Sequence, residues 1–331
     1  MKPSTACRKT AAALGLAALG AMTALAAGGE DGGLDVVKVR PNFYMIAGAG
    51  ANVGVQIGID GVVLVDAGTA AASPQVLAAL KKLTDLPIRY IIDTSPAADH
   101  VGGNGNLAKS GLTIFTNAIG NGGLAGAMTN NGAAAILAHE SILRGMSAPT
   151  GKPALFPAEA LPTEAFSRNR WYIRMNDEPI EVLYQPAAQS DSNSFVFFRK
   201  SDIVAAGDVL DTTRFPAIDI AKGGSVQGEI DALNKLIELA IPPGPFIYEG
   251  IGTYVIPGHG RVCEQIDIVD YRDMVVEVRD NVADLIKQDK SLEQIKAAAP
   301  AKAYETEYGT QPGVTDAFVE AVYRSLMAKK K

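Results

Sequence analysis

Histidine is scarce in this chain: His100, His139 and His259 are the only three in 331 residues. Any metal centre must therefore draw on very few imidazoles. Cysteine is scarcer still, with Cys7 and Cys263 alone. Basic charge is not in excess either: 30 Lys and Arg stand against 36 Asp and Glu, a net charge of −6. An acidic chain without a basic stripe is a poor nucleic-acid binder, so that class is set aside. What the chain does have is hydrophobic residues, at 47%. That is enough for a sizeable core.

The N-terminus differs from the rest. Lys2, Arg8 and Lys9 make a positive start, and residues 10–26 then run without a charge, rich in Ala and Leu. Ala24-Leu25-Ala26 has the small-x-small pattern of a signal peptidase site, so residues 1–27 are expected to be a secretory signal peptide. The competing reading is a permanent membrane anchor, but the run is near the lower length limit for a span. The expectation is a periplasmic or secreted protein with no stable membrane span after cleavage. Cys7 precedes the apolar run, so it is not placed for lipid attachment. Cleavage would leave Cys263 alone, with no intrachain disulfide.

Residues 28–34 read as a flexible, Gly- and acid-rich start. Short β-rich runs follow at 36–40, 43–47, 53–59 and 62–66, with the hairpin signal Asp60-Gly61 between the last two. Ser73 and Pro74 open a helix to about Leu83. Residues 88–93 read as a buried strand, and a Gly-rich turn and short helix come next. Residues 116–132 and 147–169 read as long irregular stretches, with helix expected over 133–146 between them. Strands are expected at 171–174, 180–184, 194–198, 203–206 and 254–256. Helices are expected at 225–239, 266–288, 291–298 and 315–328. Two strand clusters with helices before, between and after them suggest packed sheets covered by helices.

Three of these strands run into loops that carry chemistry. The first loop holds Ser95, Ala97, Asp99 and His100, followed by Val101-Gly102-Gly103-Asn104. The second is Gly207-Asp208. The third is Pro257-Gly258-His259-Gly260. Loops at strand ends are where a rigid scaffold can aim side chains at one point. Two carboxylates and two imidazoles suit Zn²⁺ or a similar divalent ion. Asp-His alone is an ordinary dipeptide and reads equally well as a polar loop. The ordered set, each member after a strand, is what raises it.

Residues 43–262 resemble the metallo-β-lactamase superfamily. The likeness is carried by Val65-Asp66-Ala67-Gly68, Asp99-His100-x-Gly102-Gly103-Asn104, Ala206-Gly207-Asp208 and Pro257-Gly258-His259-Gly260. It implies an α/β fold: an αββα sandwich of two mixed sheets flanked by helices, with C-terminal helices. The implied division is a metallo-β-lactamase-like domain at 35–265 and a C-terminal helical extension at 266–331. Asn42-Phe43-Tyr44, Phe215-Pro216-x-Ile218-Asp219 and Gly223-Gly224-Ser225 are similar to the periplasmic, quinoprotein-associated hydrolases of the superfamily.

Departures from the family pattern are as informative. The metal motif of the family reads His-x-His-x-Asp-His, and here its first two positions are Ser95 and Ala97. A further family histidine falls on Gln189. The resemblance therefore implies that all three imidazoles of the first metal site are lost. The second set survives as Asp99, His100, Asp208 and His259, with Asp66 as a buttress behind the ligand loops. Asp99 and Asp208 are the candidates for orienting a nucleophile. His139 reads as structural, Asp191 and Asn193 read as either cleft or plain turn, and Cys263 as a buried thiol.

Two functions stay open. One is a hydrolase acting on a small molecule, with a single zinc or similar divalent ion activating water. The other is a catalytically inactive relative, with or without metal, that binds a small ligand or partner in the vacated cleft. A third reading, an accessory protein of a periplasmic dehydrogenase, rests on the subgroup likeness alone.

Overall fold

The computed structural model describes residues 33–114, 132–149, 151–244 and 252–328. The expected signal peptide, and residues 116–131 of the first long loop, lie outside them. No helix among the described residues is long and apolar enough to cross a membrane.

Twelve strands form two mixed sheets. The first has seven strands in sequence order: β1 (Asp35–Arg40), β2 (Phe43–Ala47), β3 (Val53–Gly58), β4 (Gly61–Val65), β5 (Ile88–Ile92), β6 (Ala135–His139) and β7 (Glu164–Phe166). Pairing is antiparallel from β1 to β4 and parallel from β4 to β7. The second sheet has the order β12 (Tyr254–His259), β11 (Ile203–Asp211), β10 (Asn193–Phe198), β9 (Glu178–Gln185) and β8 (Arg170–Met175). Only β11 and β12 pair in parallel there.

Burial on both faces explains the unbroken apolar runs. In β4, Val63 and Val65 point into the layer between the sheets, whereas Val62 and Leu64 point to the outer layer. Period-two alternation sends neighbours to opposite faces, so a strand covered on both sides reads as Gly-Val-Val-Leu-Val rather than as alternation. The inter-sheet layer joins Phe43, Val63, Ile92 and Leu137 to Val182, Val196, Phe198 and Ile256. Phe43 and Phe198 meet edge-to-face across it, at 4.7 Å. Helices α1 (Ser73–Leu83), α2 (Ala98–Val101) and α3 (Asn104–Lys109) come from the first half of the chain, and α1 and α3 cover the outer face of the first sheet. Beyond α4 (Glu140–Met146), the helices α5 (Val226–Leu239), α6 (Gln265–Lys287) and the last one (Val314–Ala328) share a core with the outer face of the second sheet. This is the αββα layering expected from sequence.

Several elements differ from expectation. Residues 133–146 are not one helix: Ala135–His139 is a fully buried parallel strand, and only Glu140–Met146 is helical. Alanine favours helices in isolation, but a place between β5 and β7 outweighs that weak preference. The irregular stretch at 147–169 contains β7, which pairs with β6. Strand β11 does not stop at Ala206. It shifts register around Gly207 and continues through Asp208 to Asp211.

Candidate metal centre

The first ligand loop is held from both sides. After β5, Thr94 donates its backbone N–H to Asp66 Oδ1 (2.8 Å) and its hydroxyl to Asp66 Oδ2 (2.6 Å). The Thr94 carbonyl accepts from Ser194 N at 2.9 Å, which ties the loop to the second sheet. Helix α2 then presents Asp99 and His100. Its backbone is pinned by Ala51 N to Asp99 O (3.0 Å) and Ala67 N to His100 O (2.7 Å). Gly103 allows the second of these approaches, because a Cβ there would sit 2.2 Å from the Ala67 carbonyl oxygen.

Strands β11 and β12 deliver the other two residues. At the register shift Gly207 adopts φ +53°, where a Cβ would strike Thr94 Oγ1 at 2.4 Å, and Asp208 turns toward the first loop. His259 ends β12, and Asn52 fastens its loop by donating to the carbonyls of Pro257 and Gly260, both at 3.0 Å.

Three donor-bearing residues meet here. Asp99, His100 and His259 each bring a ligand atom within 4.8 Å of the others. Asp208 stands against the same imidazole, with Oδ1 3.0 Å from His100 Nε2, but is not a member of that mutually close set. The His100 and His259 rings cross edge-to-face at 5.9 Å. His259 Nε2 is buried, 3.1 Å from Asp99 Oδ2, and makes no well-directed hydrogen bond. A ring nitrogen and a carboxylate oxygen this close at the end of two loops are placed as two ligands of one ion would be. Donor pairs at 3.0 and 3.1 Å are close to the separation, roughly 3.3 Å, that tetrahedral zinc imposes on ligands about 2.0 Å away. The residues fit a divalent ion.

Behind the centre, Asp66 Oδ2 lies 2.8 Å from His100 Nδ1. This is the carboxylate–histidine arrangement that orients a metal-binding imidazole and leaves Nε2 to face the site. Asp66 holds φ +61°, a left-handed conformation that aspartate tolerates. Burial acts to depress the His100 pKa, but Asp208 and Asp66 on its two nitrogens outweigh it and raise it well above the ordinary value. Burial likewise acts to raise Asp208, yet His100, the Ser95 hydroxyl and His259 hold its carboxyl well below the usual range. His259 keeps Asp99 low.

Ser95, Ala97, Gln189 and Asp208 line a cavity of about 270 Å³ beside the centre, together with Arg144 and Lys222. Ser95 Oγ donates to Asp208 Oδ2 at 2.6 Å. Gln189 turns away and donates to the Ala217 carbonyl. Asp191 lines the same cavity, while Asn193 accepts from Ser190 N in a local turn. His139 lies apart from the donor cluster, capping α4 and stacked on Tyr184 at 3.8 Å. Cys263 is buried, and burial pushes its thiol up to about 12.

Sequence reasoning missed four residues. Thr94 and Asn52 are defined by distant contacts. Asp93 is fully buried with one oxygen on Asn104 Nδ2, and burial and then the charge of Asp66 push its pKa well up. Glu229 is fully buried, with neither oxygen hydrogen-bonded, and burial and Asp208 raise it well above its ordinary value. Glu229 carried a usable signal: it shares a helical face with Val226, Leu233 and Leu236, which spacing alone marks as the core side.

The sequence model of the metallo-beta-lactamase superfamily matches residues 48–243. The chain belongs to this superfamily. The matched span ends before β12, so His259 and the C-terminal helices lie beyond it. Among solved structures, the superfamily fold is shared with the sec-alkylsulfatase Pisa1 from Pseudomonas sp., at 15% identity and TM-score 0.56 over 87% of this chain and 49% of that one. A double mutant of the same sulfatase gives 13% identity and TM-score 0.58 over 89% and 50%. The chain thus spans about half the length of these sulfatases. A metallo-beta-lactamase from Pontibacter korlensis gives 15% identity and TM-score 0.51 over 73% of this chain and 98% of that one. Among curated proteins, none matches the chain's sequence. Likenesses at this identity show the shared fold and leave the reaction to the site.

Proposed function

We propose that this protein is a metal-dependent hydrolase of a small molecule, working with one divalent ion held by Asp99, His100, Asp208 and His259. The observation that carries this reading is the convergence of Asp99, His100 and His259, whose ligand atoms all lie within 4.8 Å of one another, with Asp208 Oδ1 3.0 Å from His100 Nε2. When bound, a divalent ion at such a site supplies Lewis acidity and brings the pKa of a bound water toward neutrality.

The chain's own residues would do the rest. With an ion bound, Asp66 would keep the His100 proton on Nδ1 and so leave the lone pair of Nε2 for the site. Asp99 and Asp208, both ionised, counter the charge of the ion and accept hydrogen bonds from a nucleophile. The cavity at Ser95, Ala97 and Gln189 is where a small substrate would sit, with Arg144 and Lys222 at hand for negative charge. The sulfatase and lactamase neighbours support hydrolysis as a reaction class. The quinoprotein-associated subgroup and a dehydrogenase partner remain our reading from sequence resemblance, and export to the periplasm our reading of the N-terminal run.

Metal analysis and turnover together test the proposal. Purified without chelator and then supplied with zinc, the chain should hold one ion. His259→Ala should abolish that ion, and Gln189→Ala should leave it. The zinc-loaded chain should hydrolyse members of a panel of sulfate, phosphate and carboxylate esters and lactams. Two ions per chain would show that other groups rebuild a first site. One ion without turnover would favour the inactive binding protein, and no ion under zinc-replete conditions would defeat the metal reading.

A further inference from the structure

Resting on the one-ion reading, we infer that Ser95 is a positioning residue that stands in for the first metal at Asp208: its hydroxyl occupies the carboxylate oxygen that faces the cavity and so holds Asp208 to the remaining ion through the other. The resemblance implies that in two-metal relatives the aspartate equivalent to Asp208 serves both ions. Loss of one ion would leave one carboxylate oxygen without its partner. Here that oxygen is not left bare. Asp208 Oδ1 faces His100 Nε2 at 3.0 Å, and Oδ2 accepts from Ser95 Oγ at 2.6 Å.

The direction of the Ser95 hydroxyl is fixed. An ionised Asp208 can only accept, so the single hydroxyl hydrogen is the one that reaches it at 2.6 Å, while the serine oxygen accepts from Ala97 N at 3.3 Å. The backbone beneath it is clamped by the bonds of Thr94 to Asp66 and Ser194. Ser95 itself is 2% exposed. The hydroxyl therefore has little freedom to leave, and little water competes for it.

The three positions at which the resemblance places imidazoles thus have three different fates. Ser95 partners the orphaned carboxylate oxygen. Ala97 leaves space in the cavity wall. Gln189 binds a backbone carbonyl elsewhere. Of the three, only Ser95 touches the centre through a hydrogen bond. A residue in that position sets how Asp208 is offered to an ion: through one oxygen in a fixed direction, instead of through both or in a rotated pose. Groups that hold ligands in this way are commonly worth 10–100-fold in metal affinity.

Cobalt(II) is a suitable probe, since its visible absorption reports coordination geometry directly. Wild type, Ser95→Ala, Ser95→Thr and Gln189→Ala are titrated with cobalt, then with zinc against a chromophoric chelator, and each fold is checked by thermal melting. The expected result is about tenfold weaker binding and an altered cobalt spectrum for Ser95→Ala, with recovery in Ser95→Thr and no change in Gln189→Ala. A wild-type chain without a cobalt spectrum overturns the metal reading and this inference with it. A wild type that binds cobalt, with Ser95→Ala indistinguishable in affinity and spectrum, overturns the role of Ser95 alone. Equal weakening in the Ala and Thr variants with unchanged spectra would mark Ser95 as mere packing and overturn it too.

Discussion

Replacing Asp66 by asparagine tests the logic of the centre at its least exposed point. Asp66 is 2% exposed and accepts from Thr94 N, Thr94 Oγ1 and His100 Nδ1. In Asp66→Asn the backbone N–H of Thr94 cannot turn, so the amide oxygen must stay at the Oδ1 position. The amide nitrogen then falls at the Oδ2 position, facing Thr94 Oγ1 and His100 Nδ1. The threonine hydroxyl can rotate to accept. The imidazole can accept only by giving up its Nδ1 proton and carrying hydrogen on Nε2, where Asp208 Oδ1 receives it at 3.0 Å. This tautomer satisfies every group and preserves the fold, but it removes the lone pair a metal needs. The stability cost should be modest, about 1–2 kcal/mol, whereas Asp66→Ala should cost about 3–5 kcal/mol because it leaves a buried charged network broken. Zinc affinity in Asp66→Asn should fall roughly 100-fold, about 2.8 kcal/mol. Urea melts in metal-free buffer and zinc competition against a chromophoric chelator separate the two effects. Nitrogen NMR reads the tautomer directly, with only three histidines to assign. Zinc affinity within about threefold of wild type would refute the reasoning, since the orienting carboxylate would then be dispensable.

Other outcomes follow from the buried acid and thiol groups. Glu229 has a folded pKa raised above its ordinary 4.5, so above pH 4.5 the unfolded chain gives up a proton that the folded chain keeps. That group should make stability fall by up to about 1.4 kcal/mol per pH unit, from pH 4.5 until the folded value is reached. Glu229→Gln should remove this slope and gain on wild type as pH rises; parallel stability curves for the two proteins would contradict it. Cys263, with its thiol pushed up to about 12, should resist a thiol reagent at pH 8 in the native state and react on denaturation. Rapid native labelling would show that Val255 and its neighbours open readily around it.

What could be read from the sequence divides by how local its cause is. Glycine and the ligands at 99–104 were legible because the turn and its donors are neighbours in the chain, and Gly103 answers to one close carbonyl. Strand β4 was legible because burial on both faces leaves an unbroken apolar run. Strand β6 was not: Ala-Ile-Leu-Ala carries no β signal strong enough to beat alanine's helical preference, and its identity comes from Ile92, Leu137 and Glu164 meeting across three strands. The same divide runs through the centre. Its donors were legible as residue types at strand ends, but their partners were not, because Asn52, Thr94 and Ser194 act across gaps that no local pattern encodes.

The divide also bears on function. From sequence, the replacement at position 95 is a lost ligand and weighs toward decay. Placed 2.6 Å from Asp208 Oδ2, the same serine accounts for the one oxygen that the loss would orphan. A centre that was merely decaying would show buried acceptors left bare where ions had been. Here Asp208 has both oxygens engaged. His259 Nε2, on the side where the ligands survive, lies 3.1 Å from Asp99 Oδ2 without a well-directed hydrogen bond. An engaged carboxylate oxygen at Ser95 and donors that converge at Asp99, His100 and His259 are the arrangement that our proposal of a site refitted for one ion requires.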